Sequence, residues 1–292
     1  MKECLKKILP ECVLNVLRVI RRKIKYIYTI DAIVDDLNSL RSHVLDIEVE
    51  LTQLKSVIQY ESDMPLPPPK HLQVRVVGGY APTFIQSGFR VCNHINDALK
   101  TVEKELTDFN TILDFGCGCG RVIRCLKIVH PSSDLYGTDI DSEAIEWLSD
   151  NYSKYGSFSV SPHMPPTEYQ DNFFDFIYGI SVFTHLPEDM QCAWLNELRR
   201  ITKRKGYLIL TTHGEKHYGK CGMETTEIMA NKGFLYRQFD NYGERIQLPS
   251  FYQNTYHSHD YIRREWGKLF DVIDIKATGM ENHQDAVLLQ NK

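Results

Sequence analysis

The sequence predicts a doubly wound α/β domain behind a helical N-terminal arm, on three observations. From about residue 70, strand-like apolar runs alternate with helical segments; the first of those runs enters a glycine-dense turn; and the preceding residues read as an amphipathic helix and a heptad seam, ended by Leu66-Pro67-Pro68-Pro69. Alternation of this kind gives a mostly parallel sheet with helices on both faces. Of the 292 residues, 42% are hydrophobic and 25% charged. A block of more than 200 such residues buries roughly 70–75% of its unfolded surface, so its core needs no disulfide or metal staple.

The arm, residues 1–65, divides in two. Residues 1–30 place Lys2, Lys6, Lys7, Arg18, Arg21, Arg22, Lys23 and Lys25 among Val13, Leu14, Val16, Leu17, Val19, Ile20, Ile24 and Ile27. This pattern reads either as a basic amphipathic helix on an anionic membrane surface or as a solvated helix packed on its own domain. From Ile33, the residues Leu37, Leu40, Val44, Ile47, Leu51, Leu54 and Ile58 recur in alternating steps of four and three. That is a coiled-coil seam, and it predicts homo-oligomerisation through residues 30–58. Three consecutive prolines end the helix, because proline breaks its hydrogen-bond ladder. The domain boundary is expected there, with the catalytic unit spanning 66–292.

Within that unit the expected order is helix (near 92–107), strand (111–115), helix (119–129), strand (134–139), helix (142–153), strand (157–161), strand (174–180), helix (187–203) and strand (206–212). Residues 214–257 then interrupt the rhythm with Tyr218, Phe234, Tyr236, Phe239, Tyr242, Phe251, Tyr252 and Tyr256, which read as a lid over the strand ends or as a local mini-core.

Several classes are set aside by composition. A formal charge of −4 argues against a general nucleic-acid binder, which needs a basic face for phosphates. The eight cysteines form no C-x-x-C pair and have no histidine partner at finger spacing, so no metal site is expected. Free thiols, and a start that lacks a continuous apolar core and a small-residue cleavage site, point to a reducing cytoplasm. No stretch approaches 18 uninterrupted apolar residues, so no membrane span is expected.

The chemistry concentrates in Thr111-Ile112-Leu113-Asp114-Phe115-Gly116-Cys117-Gly118-Cys119-Gly120-Arg121, an apolar strand, a glycine turn and a helix start. Glycines permit positive φ and close backbone approach, and the helix start presents free N–H groups. The third glycine comes one position too early for the dinucleotide fingerprint G-x-G-x-x-G. The next strand ends at Asp139, 19 positions after Gly120, where a carboxylate can accept both hydroxyls of a ribose lying across the strand ends. Alone, Asp139 would read as a cap for the following helix. Beside the glycine turn it reads as a ligand residue.

These residues resemble the first two motifs of the class I S-adenosylmethionine-dependent methyltransferases. The resemblance runs on through Phe174–Pro187 and Gly206–Thr211, similar to that family's fourth and fifth strands, to Phe270–Ile275 and Asp285–Leu289, similar to its last two. It covers about 180 residues without the arm, and implies a seven-stranded sheet and S-adenosylmethionine as cofactor. It also implies site roles. Gly116, Gly118 and Gly120 would line the methionine part, Asp114 would hold its amino group, Asp139 the ribose, and Ile140 would pack on adenine, with Ser181 at the mouth of the fourth strand. The family's polar adenine contact has no clear counterpart in Ser159–Met164. Cys117 and Cys119 are small residues tolerated beside the cofactor.

More narrowly, Pro68-Pro69, Phe84–Gly88, Gly116–Arg121, Ser181–Leu186 and His283-Gln284-Asp285 are similar to bacterial methyltransferases encoded with glycan-assembly enzymes, which implies a sugar or glycan hydroxyl as acceptor. Methylating oxygen requires a base. His185, just after the fourth strand, is the leading candidate and His213, after the fifth, the second; Tyr256, His257, His259 and His283 belong to the region expected to cap the pocket. The competing readings are a small-molecule or lipid methyltransferase, and a non-catalytic scaffold with a vestigial nucleoside pocket.

Overall fold

The computed structural model describes residues 19–20, 67–77, 84–238 and 249–292. The predicted basic helix and coiled coil, Val19 and Ile20 apart, lie outside the described residues. Helices α1 (Lys70–Val77) and α2 (Phe84–Leu99) precede the sheet. Then follow β1 (Thr111–Phe115), α3 (Arg121–Val129), β2 (Asp134–Asp139), α4 (Ser142–Tyr152), β3 (Ser157–Val160), β4 (Phe174–Gly179), α5 (Glu188–Ile201) and β5 (Thr202–Thr212). The insertion contributes α6 (Glu215–Tyr218), α7 (Met223–Lys232), β6 (Phe234–Arg237) and β7 (Asn254–His257), and the chain closes with α8 (His259–Glu265), β8 (Phe270–Met280) and β9 (Gln284–Asn291).

Seven strands form one mixed sheet in the order β3-β2-β1-β4-β5-β9-β8, with β9 antiparallel to both neighbours and the other pairs parallel. The strand order reverses between β1 and β4, and open α/β sheets bind ligands outside the carboxyl ends at such a point. Strand alternation divides the packing. Leu113 and Phe115 of β1 face a core with Ile177, Leu208 and Leu210, covered by Trp194, Leu195 and Leu198 of α5 and by Tyr261 and Ile262 of α8. Asp114, between them, points to the opposite face, where its burial becomes chemistry.

Two helix boundaries depart from the sequence expectation. The helix expected near 92–107 runs instead over 84–99, followed by short 3-10 turns at 100–102 and 106–108. Gly88 sits mid-helix where α2 crosses α3; a Cβ would overlap the Arg121 carbonyl and lie 2.6 Å from Cys125 Sγ. Likewise α5 ends at Ile201, and β5 begins four residues before its expected start.

The insertion is zipped onto the strand ends. Gln253 N–H donates to the His185 carbonyl at 3.1 Å, Thr255 N–H to Thr184 at 2.8 Å and His257 N–H to His213 at 3.0 Å. Of its aromatics, Phe234 joins the main core rather than a local one, whereas Phe251 and Tyr252 line the cavity above the glycine turn. Among the described residues no helix is long and apolar enough to cross a membrane.

Candidate functional site

Parallel pairing of β1 with β2 sets Phe115 beside Thr138, so the turn after β1 folds against the end of β2. The N–H groups of Gly116 and Cys117 donate to the Thr138 carbonyl at 2.8 and 3.1 Å. Gly116 has φ +83°, a conformation that glycine adopts without steric cost, and a Cβ there would overlap Val182. Gly118 (φ +51°) would bring a Cβ within 2.6 Å of Val76. These missing side chains keep open a cavity bounded by the turn, the ends of β1, β2 and β4, helix α1 and the insertion.

The cavity wall includes Asp114, Gly116, Gly118, Asp139, Ile140 and Ser181, six of the seven cofactor residues expected from sequence. Gly120 caps α3 in the left-handed conformation (φ +83°) without lining the cavity. Asp139 Oδ2 accepts Gly118 N–H at 2.7 Å and Oδ1 accepts Asp141 N–H at 2.9 Å. The helix cap is Asp141, whose carboxylate accepts Ala144 N–H, so Asp139 is not the cap of α4. Each of its oxygens retains acceptor capacity for a hydroxyl. Burial raises the Asp139 pKa, and the Asp141 and Gly118 amides oppose the rise.

Asp114 is 3% exposed. Burial pushes its carboxyl up to about 8, against the opposing pull of the Tyr178 hydroxyl and Arg121. A shift of this size is worth on the order of 5 kcal/mol, enough to hold the acid neutral at pH 7 until a cation arrives. Burial also drives the Cys119 thiol up to about 12 and Cys117 well above its usual range, which leaves both unreactive at neutral pH.

Some of the cavity wall had no sequence signal. Helix α1 contributes Leu72, Arg75 and Val76, and Arg75 clasps Asp141 at 2.8 and 3.0 Å and Glu143 at 2.6 Å. Ser161 and His163, inside the segment where no adenine contact was recognisable, stand on the wall with Phe251 and Tyr252. Their approach depends on loop conformation, which carries no periodic pattern.

Ser181 has φ +62°, uncommon for a side chain other than glycine. Its N–H donates to Thr211 Oγ1 at 2.7 Å and its Oγ accepts from Gln284 at 2.8 Å. This strained residue lines the cavity above the glycine turn and also a second, polar one formed with Ser87, Arg90, Arg121, Glu281, His283 and Gln284. Arg121 bridges Ser87 and Glu281. Although burial raises the Glu281 pKa, Arg121 and Ser87 hold it below the usual carboxylate range.

The histidines sort differently from the expectation. His185 is 8% exposed and lines neither cavity; its Nδ1–H donates to the Gln253 carbonyl at 2.7 Å, and its ring stacks on Tyr252 at 3.9 Å. Burial lowers its pKa to about 4. His213 lies 6.0 Å from His185, between ring centroids, and burial, reinforced by His217, His185 and His283, lowers it to about 2. His257 donates to Gln191, whose amide in turn donates to the Phe183 and Leu186 carbonyls. His259 is paired with buried Asp285 at 2.8 Å. These last two histidines hold the insertion and β9 in place and do not face the cavity.

An acidic strand end beside a glycine turn, at the switch point of a 3-2-1-4-5-9-8 sheet, defines a nucleoside-binding doubly wound α/β protein. Residues 113–210 match the family of the methyltransferase domain. The protein is an S-adenosylmethionine-dependent methyltransferase, with S-adenosylmethionine as methyl donor. Similar solved structures include an S-adenosylmethionine-dependent methyltransferase from Methanosarcina mazei (17% identity, TM-score 0.45, covering 62% of this chain and 92% of that one). Another comes from Aquifex aeolicus (19% identity, TM-score 0.45, 73% and 100% covered).

Proposed function

We propose that the enzyme methylates a hydroxyl of a sugar or glycan, held in the polar cavity across Ser181 from the cofactor. The observation that carries this reading is the junction of the two cavities at Ser181, with hydroxyl, amide, guanidinium, carboxylate and imidazole groups on the acceptor side. Such a lining suits a polyhydroxylated molecule, each of whose hydroxyls both donates and accepts, and suits a lipid chain poorly.

Within this proposal Asp114 receives the cofactor's amino group, Asp139 its ribose hydroxyls, Ile140 its adenine, and Gly116, Gly118 and Gly120 shape the turn. Bound S-adenosylmethionine supplies an electrophilic methyl group on a sulfonium. The protein's part is to align the acceptor oxygen and receive its proton. His185 is our candidate base: donation from Nδ1–H to Gln253 places the imidazole lone pair on Nε2. Tyr252, stacked on it, lines the cavity above the glycine turn.

Incubating the full-length protein with methyl-labelled cofactor and fractionated cell-envelope glycans tests the acceptor class. Label is expected in the sugar fraction as an acid-stable, alkali-stable methyl ether. Label confined to lipid or protein fractions would overturn it.

A further inference from the structure

Beyond the acceptor reading, and independent of it, the outer edge of the site holds a side-chain cluster that methyl transfer leaves unexplained. His213, His217 and His283 each offer a ring nitrogen within 4.8 Å of the other two. They arrive from three pieces of chain: the end of β5, helix α6, and the turn between β8 and β9. Centroid distances are 4.3 Å for His213–His217, 4.4 Å for His217–His283 and 6.1 Å for His213–His283.

Hydrogen bonds hold this arrangement and fix its chemistry. His217 Nε2–H donates to the His283 carbonyl at 2.7 Å, and beside it Lys216 donates to the Asn282 carbonyl. The proton on Nε2 leaves the His217 lone pair on Nδ1. Metal-bound histidines are ordinarily oriented in this way, their second nitrogen donating to a carbonyl or carboxylate. His213 is 8% exposed, and its Nδ1 is buried without a hydrogen-bond partner. Stacking of three imidazoles explains the ring contacts. It does not explain a buried ring nitrogen left unsatisfied, which burial ordinarily penalises.

We propose that His213, His217 and His283 form a three-nitrogen site for a divalent transition ion of the zinc type, at the edge of the polar cavity that His283 also lines. Imidazole suits such ions, whereas magnesium and calcium prefer oxygen. Zinc–nitrogen bonds of about 2.0–2.1 Å require the three donors to draw together on binding, and three protein ligands leave a fourth position for water or a substrate oxygen. His213 thereby gains a ligand's role in place of the base role expected from its sequence position. The cysteine spacing gave no hint of the site because no cysteine belongs to it.

The test is titration of metal-stripped, full-length protein with zinc chloride in a calorimeter, alongside cobalt(II) binding followed by visible absorption. One equivalent of zinc is expected to bind saturably. His217→Ala and His283→Ala should each weaken it at least about tenfold, while Cys221→Ser, whose thiol neighbours the His217 carbonyl, should leave it unchanged. The parent's cobalt spectrum needs no variant: it should show ligand-field bands without the sulfur charge-transfer band of a thiolate. Absence of a one-equivalent site, unchanged binding in both histidine variants, or loss of binding in Cys221→Ser would overturn the assignment.

Discussion

At the scale of single residues, Asp114 gives the clearest consequence. Its carboxyl, pushed up to about 8 by burial, is neutral in the cofactor-free protein at pH 7, and a nearby ammonium would ionise it. Cofactor binding at pH 7 is therefore expected to release close to one proton, read as a calorimetric enthalpy that varies with the ionisation enthalpy of the buffer. Buffer-independent enthalpies would contradict the assignment. The sign for stability follows from the same shift. A raised folded-state pKa means that the cofactor-free protein loses stability as pH climbs from about 4 through about 8. Asp114→Asn should remove that loss, raising Tm at pH 8 while weakening cofactor binding.

His185 makes a sharper residue-scale prediction. As a base it contributes about 10²–10⁴ in rate, so His185→Ala should lower kcat with cofactor affinity nearly intact. With its pKa lowered to about 4, the acid limb of the parent's pH profile should fall well below pH 6.5 and vanish in the variant. Equal loss of kcat and cofactor affinity would mark it as a positioning residue beneath Tyr252.

At the scale of elements, strand periodicity and glycine punctuation made β1, β2 and β4 legible almost to the residue, because each is an apolar run bounded by turn chemistry. The glycine turn and Asp139 were legible for the same reason: their residue types have few other uses at a strand end. Helix α1 was not. Lys70–Val77 is short and only partly apolar, and its place over the cavity depends on Arg75 reaching Asp141 and Glu143, which no local pattern encodes. Arg75→Ala should leave Tm within a few degrees, since partly exposed ion pairs contribute little, about 0–1 kcal/mol each. It should nevertheless speed cofactor release, measured by stopped-flow displacement. An unchanged off-rate would show that α1 does not close the cavity.

At the scale of the whole molecule, the α/β unit carries its own core from β1 to β9, and the seam at Ile33–Ile58 stands as a proposal for assembly. Deleting residues 1–65 should abolish self-association in light scattering and leave the circular dichroism and cofactor binding of the α/β unit intact. A full-length monomer at micromolar concentration would remove the coiled coil. Liposome binding that is absent or insensitive to salt would remove membrane attachment by residues 1–30.

The cavity between the glycine turn and Asp139 is expected to hold the methyl donor, and calorimetric titration with S-adenosylhomocysteine decides it. Hydrogen bonds to a charged acceptor are worth about 1.5–3 kcal/mol each, so Asp139→Ala should bind at least about tenfold more weakly than the parent. Because that change also frees Gly118 N–H, circular dichroism must show a folded variant. Saturable one-to-one binding by the parent and that loss in the variant are the expected results; no binding by the parent, or equal binding by both, would contradict the account.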